Sequence, residues 1–544
     1  MEQRALTTYE DATGFIVDWM ITGFFPSGTG GSREPDLYEA KVSRFWTHDY
    51  LAPYGGAAAI RDLPPPRGLC PVEWLPVRAE PHTPQLWLQP LLRTHPALAR
   101  AFPGEAKWDH QWYALALVES DREQAAELRL CGNDGCQVWW NGTMLLSEHA
   151  WHKLAYDLHV LPVRLKKGRN ALLLKLDRYG LVARLTAPDG KKLPGKVTAL
   201  SAAEPPPTPP GTVEQLRRYA ATLQVKMPCD AKNAAAQARW RKGALAHYRA
   251  CLGPFPPLPA KLPKKLDPVE TVARNGYTRF RYHLPREAGS LLPVHVLVPD
   301  AARRNGRTVI CPHGHGQDDK VVAGIQPPAK PYGNWCGPCT ANYAELLAQA
   351  GFVTATWSER AVSHERNDTP PGDPCNHAAF CAMAMGMTLP GLHLFDLHGV
   401  ADFVATLPDV DRKRMGLTGL SGGGTLTCLG AAYDERFAAA AIFCGLYSYQ
   451  DYATSGGCGM QVVPGLYPTL DTGELLCLAA PRPLLLAQGR RDVGFNIFRL
   501  QRFAREARQA YRALGHEDRV EVCLYDLAHQ VNIEAAIDFF TRRL

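Results

Sequence analysis

Two regimes of hydrophobic and polar patterning divide the chain. From about residue 11 to residue 200, short apolar runs at 128–131, 137–140, 160–163 and 171–176 are separated by Gly, Pro, Asn and Asp turns. Runs of this length closed by turn formers predict strands, and their spacing predicts an all-β sandwich. Beyond residue 260 the pattern changes. Apolar runs at 309–311, 353–357, 414–418, 482–489 and 520–525 have the look of buried strands, and helix-compatible stretches at 425–432 and 532–544 follow two of them. Such alternation predicts an α/β domain on a doubly wound, mostly parallel sheet. Two further strands, near 277–282 and 294–298, are expected to open that sheet as an antiparallel pair. Between the regimes, 204–211 reads Glu-Pro-Pro-Pro-Thr-Pro-Pro-Gly, a stiff linker, and helical stretches at 213–223 and 234–252 follow it. No internal repeat is present.

Composition narrows the classes. A chain of 544 residues has room for two or three domains, and 46% apolar residues is ordinary for a globular protein. The net charge of +7 is mild and its basic residues are interspersed with acids, so no nucleic-acid partner is expected. No apolar run approaches the roughly 18–20 residues of a membrane span, so no membrane partner is expected either. The first eleven residues hold no hydrophobic signal core, which as written points to the cytoplasm, with secretion only if a leader is missing. Fifteen cysteines, an odd number without framework spacing, are expected to be mostly reduced. One string stands apart. Trp-Cys-Gly-Pro-Cys at 335–339 matches the thioredoxin type and precedes a helix, whose N-terminal partial charge lowers a thiol pKa. Its flanking strands already belong to the sheet, so a local disulfide between Cys336 and Cys339 is favoured over a redox domain. The sequons at Asn141 and Asn367 have meaning only on secretion.

Candidate chemistry lies in three short pieces of the second regime. Gly-Leu-Ser-Gly-Gly at 419–423 sits between a buried strand and a helix. At a sharp strand-to-helix turn a serine takes strained backbone angles, and only small residues fit two positions before and after it. Ser421 is therefore the candidate nucleophile. A serine hydroxyl needs a base within hydrogen-bond reach and an acid to orient that base. Asp492 follows the strand predicted over 482–489, and His529 follows the one over 520–525. Loops at the carboxyl edges of parallel strands converge on one face, so all three candidates fall on one rim. Asp526, three residues before the histidine, is the rival acid. The strand at 309–311 runs into His-Gly-His-Gly at 313–316, a place for oxyanion donors; the backbone amides of Gly422 and His315 are the candidates. His313 and His315 lack a third ligand at a recognisable spacing, so no metal is expected.

From about residue 233 onward the chain resembles the dienelactone-hydrolase-like and acetyl-xylan-esterase-like branch of the α/β-hydrolases. The carriers are the His-Gly-His-Gly loop, 341–352 leading into the strand 353–357, Gly-Met-Thr-Leu-Pro-Gly-Leu at 386–392, Asp396 and Asp402, residues 418–424, Ala-Pro-Arg-Pro at 480–483, and the surroundings of Asp492 and His529. The resemblance implies a cofactor-free hydrolase of carboxylic esters, often acylated carbohydrate. Trp-Ser-Glu-Arg at 357–360 departs from the Asp-x-Arg-Gly run of the family, leaving Glu359 and Arg360, with His313, as pocket-lining candidates or, for the first two, a structural ion pair. In the first regime, 133–142 and 165–175 resemble the galactose-binding-like jelly rolls attached to carbohydrate-active enzymes. Trp139, Trp140 and Trp151 are candidates for stacking on a sugar, against the alternative of core packing.

The expected organisation is a jelly-roll sandwich over 1–202, a proline-rich linker and helical connector over 203–260, and an α/β-hydrolase catalytic domain over 261–544. The expected activity is a Ser-His-Asp esterase acting on a small-molecule or carbohydrate ester. A prolyl-oligopeptidase-like peptidase, a non-catalytic carbohydrate-binding protein of the same fold, and a thiol redox enzyme are the alternatives.

Overall fold

The computed structural model describes residues 2–26, 46–62, 74–79, 84–88, 110–133, 135–149, 154–177, 180–201, 212–259, 265–287, 289–315, 318–326, 341–366, 374–452, 457–492 and 495–544. The linker at 204–211, Trp151, Asn367 and the Cys336–Cys339 string lie outside them. The chain divides into two units, Met1–Ala221 and Thr222–Leu544.

The first unit carries two antiparallel sheets, of eight and six strands among the described residues. Its longest pairing joins His110–Ser120 to Gly168–Asp177. Successive side chains of a strand point to opposite faces, and nearly all of Gly168–Asp177 is buried, so both faces of this strand are covered. On one face Leu173 joins Tyr113, Leu115, Leu117 and Trp139 beneath Leu51 and Ile60. Trp140 donates its indole N–H to the Arg164 carbonyl (3.0 Å) on a strand of the other sheet. Trp139 and Trp140 are 6% and 5% exposed, which corrects their candidacy as stacking platforms: burial leaves no ring face for a sugar.

The second unit is built on a nine-stranded sheet: β1 (Glu270–Arg274), β2 (Tyr277–Pro285), β3 (Leu291–Pro299), β4 (Thr308–Ile310), β5 (Val353–Trp357), β6 (Met415–Leu420), β7 (Ala439–Phe443), β8 (Leu484–Gly489) and β9 (Val520–Tyr525). The order across the sheet is β1-β2-β3-β5-β4-β6-β7-β8-β9. β1, β2 and β3 pair antiparallel with one another and β3 pairs antiparallel with β5, whereas the six strands from β5 to β9 run parallel. The antiparallel opening thus has one strand more than the expected pair; Glu-Thr-Val-Ala-Arg in β1 is mostly exposed and lacks an apolar run to announce it.

Helices α1 (Ala234–Leu252), α2 (Tyr343–Gln349), α3 (Pro374–Ala384), α4 (Leu389–Val404), α5 (Gly422–Tyr433), α6 (Thr472–Leu478), α7 (Ile497–Ala513) and α8 (Ile533–Arg543) accompany the sheet. Polar caps start several of them: Thr388 accepts from the Gly391 amide, Asn496 from that of Phe498 and Asn532 from that of Ala535. The helical stretch at 234–252, expected as part of a connector, contributes Ala244, Tyr248 and Leu252 to the core of this unit, and the Tyr248 hydroxyl donates to the Leu429 carbonyl at 3.1 Å. Among the described residues no single helix is long and apolar enough to cross a membrane.

Helix α5 begins three residues earlier than its apolar pattern suggests, and takes in the whole glycine run 422–424. Glycine is a poor helix former, and packing supplies the reason for it here. A Cβ on Gly423 would lie 2.8 Å from the His313 carbonyl oxygen, and one on Gly424 would lie 2.5 Å from that of Phe443. The helix rests on backbone, with no room for a methyl. Gly423→Ala should therefore force the β4 loop and α5 apart and destabilise the second unit by roughly 1–3 kcal/mol. The denaturant midpoint of that unit, followed by a fluorescence probe confined to it, measures the shift; an unchanged midpoint contradicts the packing argument.

Candidate active site

The loop geometry at the carboxyl edge of the sheet starts with Ser421. It stands between β6 and α5 with φ 61° and ψ −121°, angles a non-glycine residue adopts only when its surroundings impose them. Its amide donates to the Phe443 carbonyl (3.0 Å) at the end of β7, and its carbonyl accepts the Thr425 amide (2.9 Å) of the first helical turn. The steric demand on its neighbours is measurable: a Cβ on Gly419 would lie 2.5 Å from the Gly423 carbonyl carbon and 2.7 Å from the Pro312 oxygen. Strand and helix touch across the serine.

The β4 loop closes on the same point. A Cβ on Gly314 would come 3.0 Å from the Ser421 Cβ and 3.2 Å from the Gly422 nitrogen. That leaves the start of α5, where helix amides have no intrahelical partner, beside the loop that carries His315.

Asp492 and His529 meet two strands away. The His529 Nδ1 lies 2.8 Å from the Asp492 carboxylate, whose side chain is 1% exposed, while the ring stacks on Phe495 with centroids 5.8 Å apart. Backbone bonds hold the two loops together: the Arg490 amide donates to the Tyr525 carbonyl (2.8 Å), and that of Arg491 to Leu527 (3.1 Å). Gly489 permits the approach, since a Cβ there would lie 2.3 Å from the Leu527 oxygen. Asp526, the rival acid, points elsewhere: it is 70% exposed and forms a two-point ion pair with Arg491.

Between elbow and pair stands Cys444, unmarked in the sequence except by following a buried strand. Its sulfur lies within 4.8 Å of the ligand atoms of both Asp492 and His529. Burial, and then the Asp492 carboxylate, push its thiol well above the usual range, so it stays a neutral neighbour. Met460 is another residue the sequence did not mark; its sulfur is 2.9 Å from where a Gly422 Cβ would sit. Near it a cleft of about 300 Å³ is lined by Ala379, Phe380, Met383, Leu389, Val462 and Pro464, among others.

Three pocket-lining candidates take structural places. His313 is fully buried and both ring nitrogens face backbone: Nδ1 lies 3.2 Å from the Gly314 carbonyl oxygen, and Nε2 accepts the Glu359 amide at 3.2 Å. It ties the β4 loop to the end of β5. The Glu359 carboxylate is buried against the His393 Nδ1 at 3.3 Å. Arg360 is saturated by carboxylates, with Asp396 at 2.8 Å and both Glu287 oxygens at 2.7 and 2.8 Å, so its ion-pair partners are these and Glu359 takes His393 instead. Asp396, 1% exposed, also receives Arg366 at 2.6 Å and faces Arg286 at 3.8 Å. His315 turns its side chain to two cysteines, Nε2 lying 2.9 Å from the Cys458 sulfur and 3.3 Å from that of Cys375. The Cys375 thiol beside it, with help from the His315 ring, holds the Cys458 thiol down at about 5 despite burial.

No protein-family model matches the chain. An uncharacterized protein of Pseudomonas aeruginosa is 28% identical over 211 residues, 37% of this chain, and the match spans half of that relative's length. A crystal structure described as a "putative acetyl xylan esterase", from Bacteroides fragilis, superposes with a TM-score of 0.51 at 14% identity, covering 62% of this chain and 96% of the other. A methylesterase (TM-score 0.43, 20% identity, 61% and 67% covered) and a glucuronoyl esterase from Solibacter usitatus (0.44, 17%, 59% and 99%) are weaker likenesses. The first likeness, at 14% identity, is one of fold alone.

Two outcomes follow from the ion-pair cluster. Asp396→Asn leaves three guanidiniums around a neutral group and should destabilise the second unit by about 3–5 kcal/mol, read from its denaturant midpoint. Burial opposes ionisation of Glu287, but the Arg360 guanidinium outweighs it and holds the carboxyl at about 2. A depressed folded-state value contributes stability above the unfolded value of about 4.5 that is lost as pH falls toward about 2. Wild type and Glu287→Gln should accordingly differ in stability at neutral pH and converge near pH 2 (roughly, from the same linkage); a constant gap across acid titration contradicts the assignment.

Proposed function

We propose that this protein is a serine hydrolase of carboxylic esters, with Ser421 as nucleophile, His529 as base and Asp492 as the group that orients it. The observation that carries the reading is the 2.8 Å bond between the His529 Nδ1 and the buried Asp492, on the same sheet edge as a serine in a strained elbow. With Nδ1–H donated to the carboxylate, Nε2 is left as the acceptor that can take the serine proton. Ser421 then attacks the ester carbonyl, and the developing oxyanion rests on the amides of Gly422 and His315. Collapse expels the alcohol, protonated by His529, and water cleaves the acyl-enzyme by the same steps in reverse.

The finer assignment, to the dienelactone-hydrolase-like and acetyl-xylan-esterase-like branch acting on acyl esters of carbohydrates, is supported by the resemblance of 313–316, 341–357, 386–392 and 480–483, and by an esterase-like fold. The same proposal takes the first unit as a galactose-binding-like jelly roll, supported by its two antiparallel sheets.

Replacing Ser421 or His529 by Ala should lower kcat for a chromogenic acetate ester by about 10⁴–10⁶, and Asp492→Asn by about 10⁴, with KM little changed. A fluorophosphonate probe should label the wild type and spare Ser421→Ala. Turnover that survives in Ser421→Ala excludes the site; acetylated xylan, glucuronoyl and aryl esters tested side by side define the substrate.

A further inference from the structure

Beside the elbow, and unused by the chemistry above, three soft or borderline ligand atoms converge from distant parts of the chain. We propose that His315, Cys375 and Cys458 form a binding site for a divalent zinc-type metal ion, leaving a fourth coordination position open.

Geometry carries this assignment. The His315 Nε2 lies 2.9 Å from the Cys458 sulfur and 3.3 Å from the Cys375 sulfur, and all three ligand atoms are within 4.8 Å of one another. A tetrahedral zinc ion with Zn–S near 2.3 Å and Zn–N near 2.0–2.1 Å sets nitrogen–sulfur edges of roughly 3.6 Å and a sulfur–sulfur edge of roughly 3.8 Å. The ring nitrogen and the sulfurs need to part by well under about 1 Å to admit the ion. Two cysteines and one histidine are also a ligand set zinc takes, and three protein ligands with one open position are the arrangement of sites that bind a water or an exogenous anion.

The surroundings hold the ligands in place. Asn376, next to Cys375 in α3, accepts the amide of Gly459, next to Cys458, at 2.6 Å, so the two sulfur-bearing segments are bonded to each other on either side of the cluster. Ala361, Ala379, Leu389 and Met460 pack around Cys375 as an apolar shell, with Cys458 at its edge. Low polarity around a metal strengthens its bonds to charged sulfur and controls solvent access. Both cysteines are reduced thiols in the structure. A disulfide would use the two sulfurs alone; an imidazole nitrogen near both is what an ion requires. The other nitrogen of the same ring lies 3.3 Å from where a Gly422 Cβ would sit, so an ion here abuts the start of α5 through a single imidazole.

Cobalt(II) is the probe, because thiolate ligation gives it a near-ultraviolet charge-transfer band and tetrahedral geometry gives intense visible bands. The full chain, reduced and stripped with chelator, is titrated anaerobically in a Cys336→Ser/Cys339→Ser background that removes the Cys-x-x-Cys string as a competing thiolate ligand. One cobalt per chain with both signatures, displaced stoichiometrically by zinc, is expected. Cys458→Ser, Cys375→Ser and His315→Ala should each weaken binding at least roughly 100-fold, beyond the loss seen on removing outer-shell partners. Since Cys458 is only half-buried, its serine variant tests the site even if the Cys375 variant fails to fold. Absence of the bands at saturating cobalt overturns the proposal. So do bands unchanged in Cys458→Ser, and a Cys375–Cys458 disulfide in the isolated protein that takes up no metal after reduction. The readout is spectroscopic and independent of esterase turnover, so its failure leaves the serine mechanism standing and the converse holds.

Discussion

The second unit depends on a backbone-to-backbone contact at the end of β6. Strand β6, helix α5 and the β4 loop meet with no side chain between them: Gly419 faces Gly423 and the Pro312 oxygen, Gly423 faces the His313 oxygen, and Gly314 faces the serine. Three segments at this spacing force Ser421 into positive φ, and that strained turn lifts its side chain off the end of the sheet. The strain is sustained because the surrounding sheet over-determines it: the parallel register of β6 with β4 and β7 leaves the serine amide on the Phe443 carbonyl. The same register sends the β8 and β9 loops to the same edge, where backbone bonds between 490–491 and 525–527 set the carboxylate beside the imidazole.

A second set of interactions holds the ends of β4, β5 and α4 together beneath this region. His313 spans the β4 and β5 ends, Glu359 meets His393 of α4, and Arg360 draws Glu287 of the β2–β3 hairpin against Asp396 of α4. Charged groups that sit near a rim invite a pocket-lining assignment, yet here Arg360 spends its hydrogen bonds on Glu287 and Asp396, and Glu359 is buried with His393 at ion-pair distance. Burial makes this decisive: a guanidinium already holding two carboxylates has little left to offer a substrate.

Legibility in the sequence followed the physics of each element. Strands β4, β5, β6, β8 and β9 were readable as largely apolar runs ended by turn residues, whereas β7, the alanine-rich Ala-Ala-Ala-Ile-Phe, was not singled out, because alanine is apolar but carries no strand preference of its own. Helix α8 was readable from its amphipathic period, with its ends within a residue or so of the structure. β1 was not, since an exposed edge strand needs no apolar run. The start of α5 was misjudged because intrinsic propensity counts against glycine, whereas close packing selected it. Trp139 and Trp140 drew attention as aromatic surfaces, and the alternation of a doubly covered strand placed both inside.

The sequence by itself determined the α/β order, the elbow and its glycines, and the residues available as nucleophile, base and acid, since periodicity, turn chemistry and local sterics act over a few residues. Tertiary structure alone decided which groups meet. It joined Asp492 to His529 and turned Asp526 outward to Arg491, consumed Arg360 in a carboxylate clamp, set Cys444 beside the acid–base pair, and gathered His315, Cys375 and Cys458 around one point. No linear spacing encodes such encounters, because they are made by loops that the parallel register of the sheet carries to a common edge.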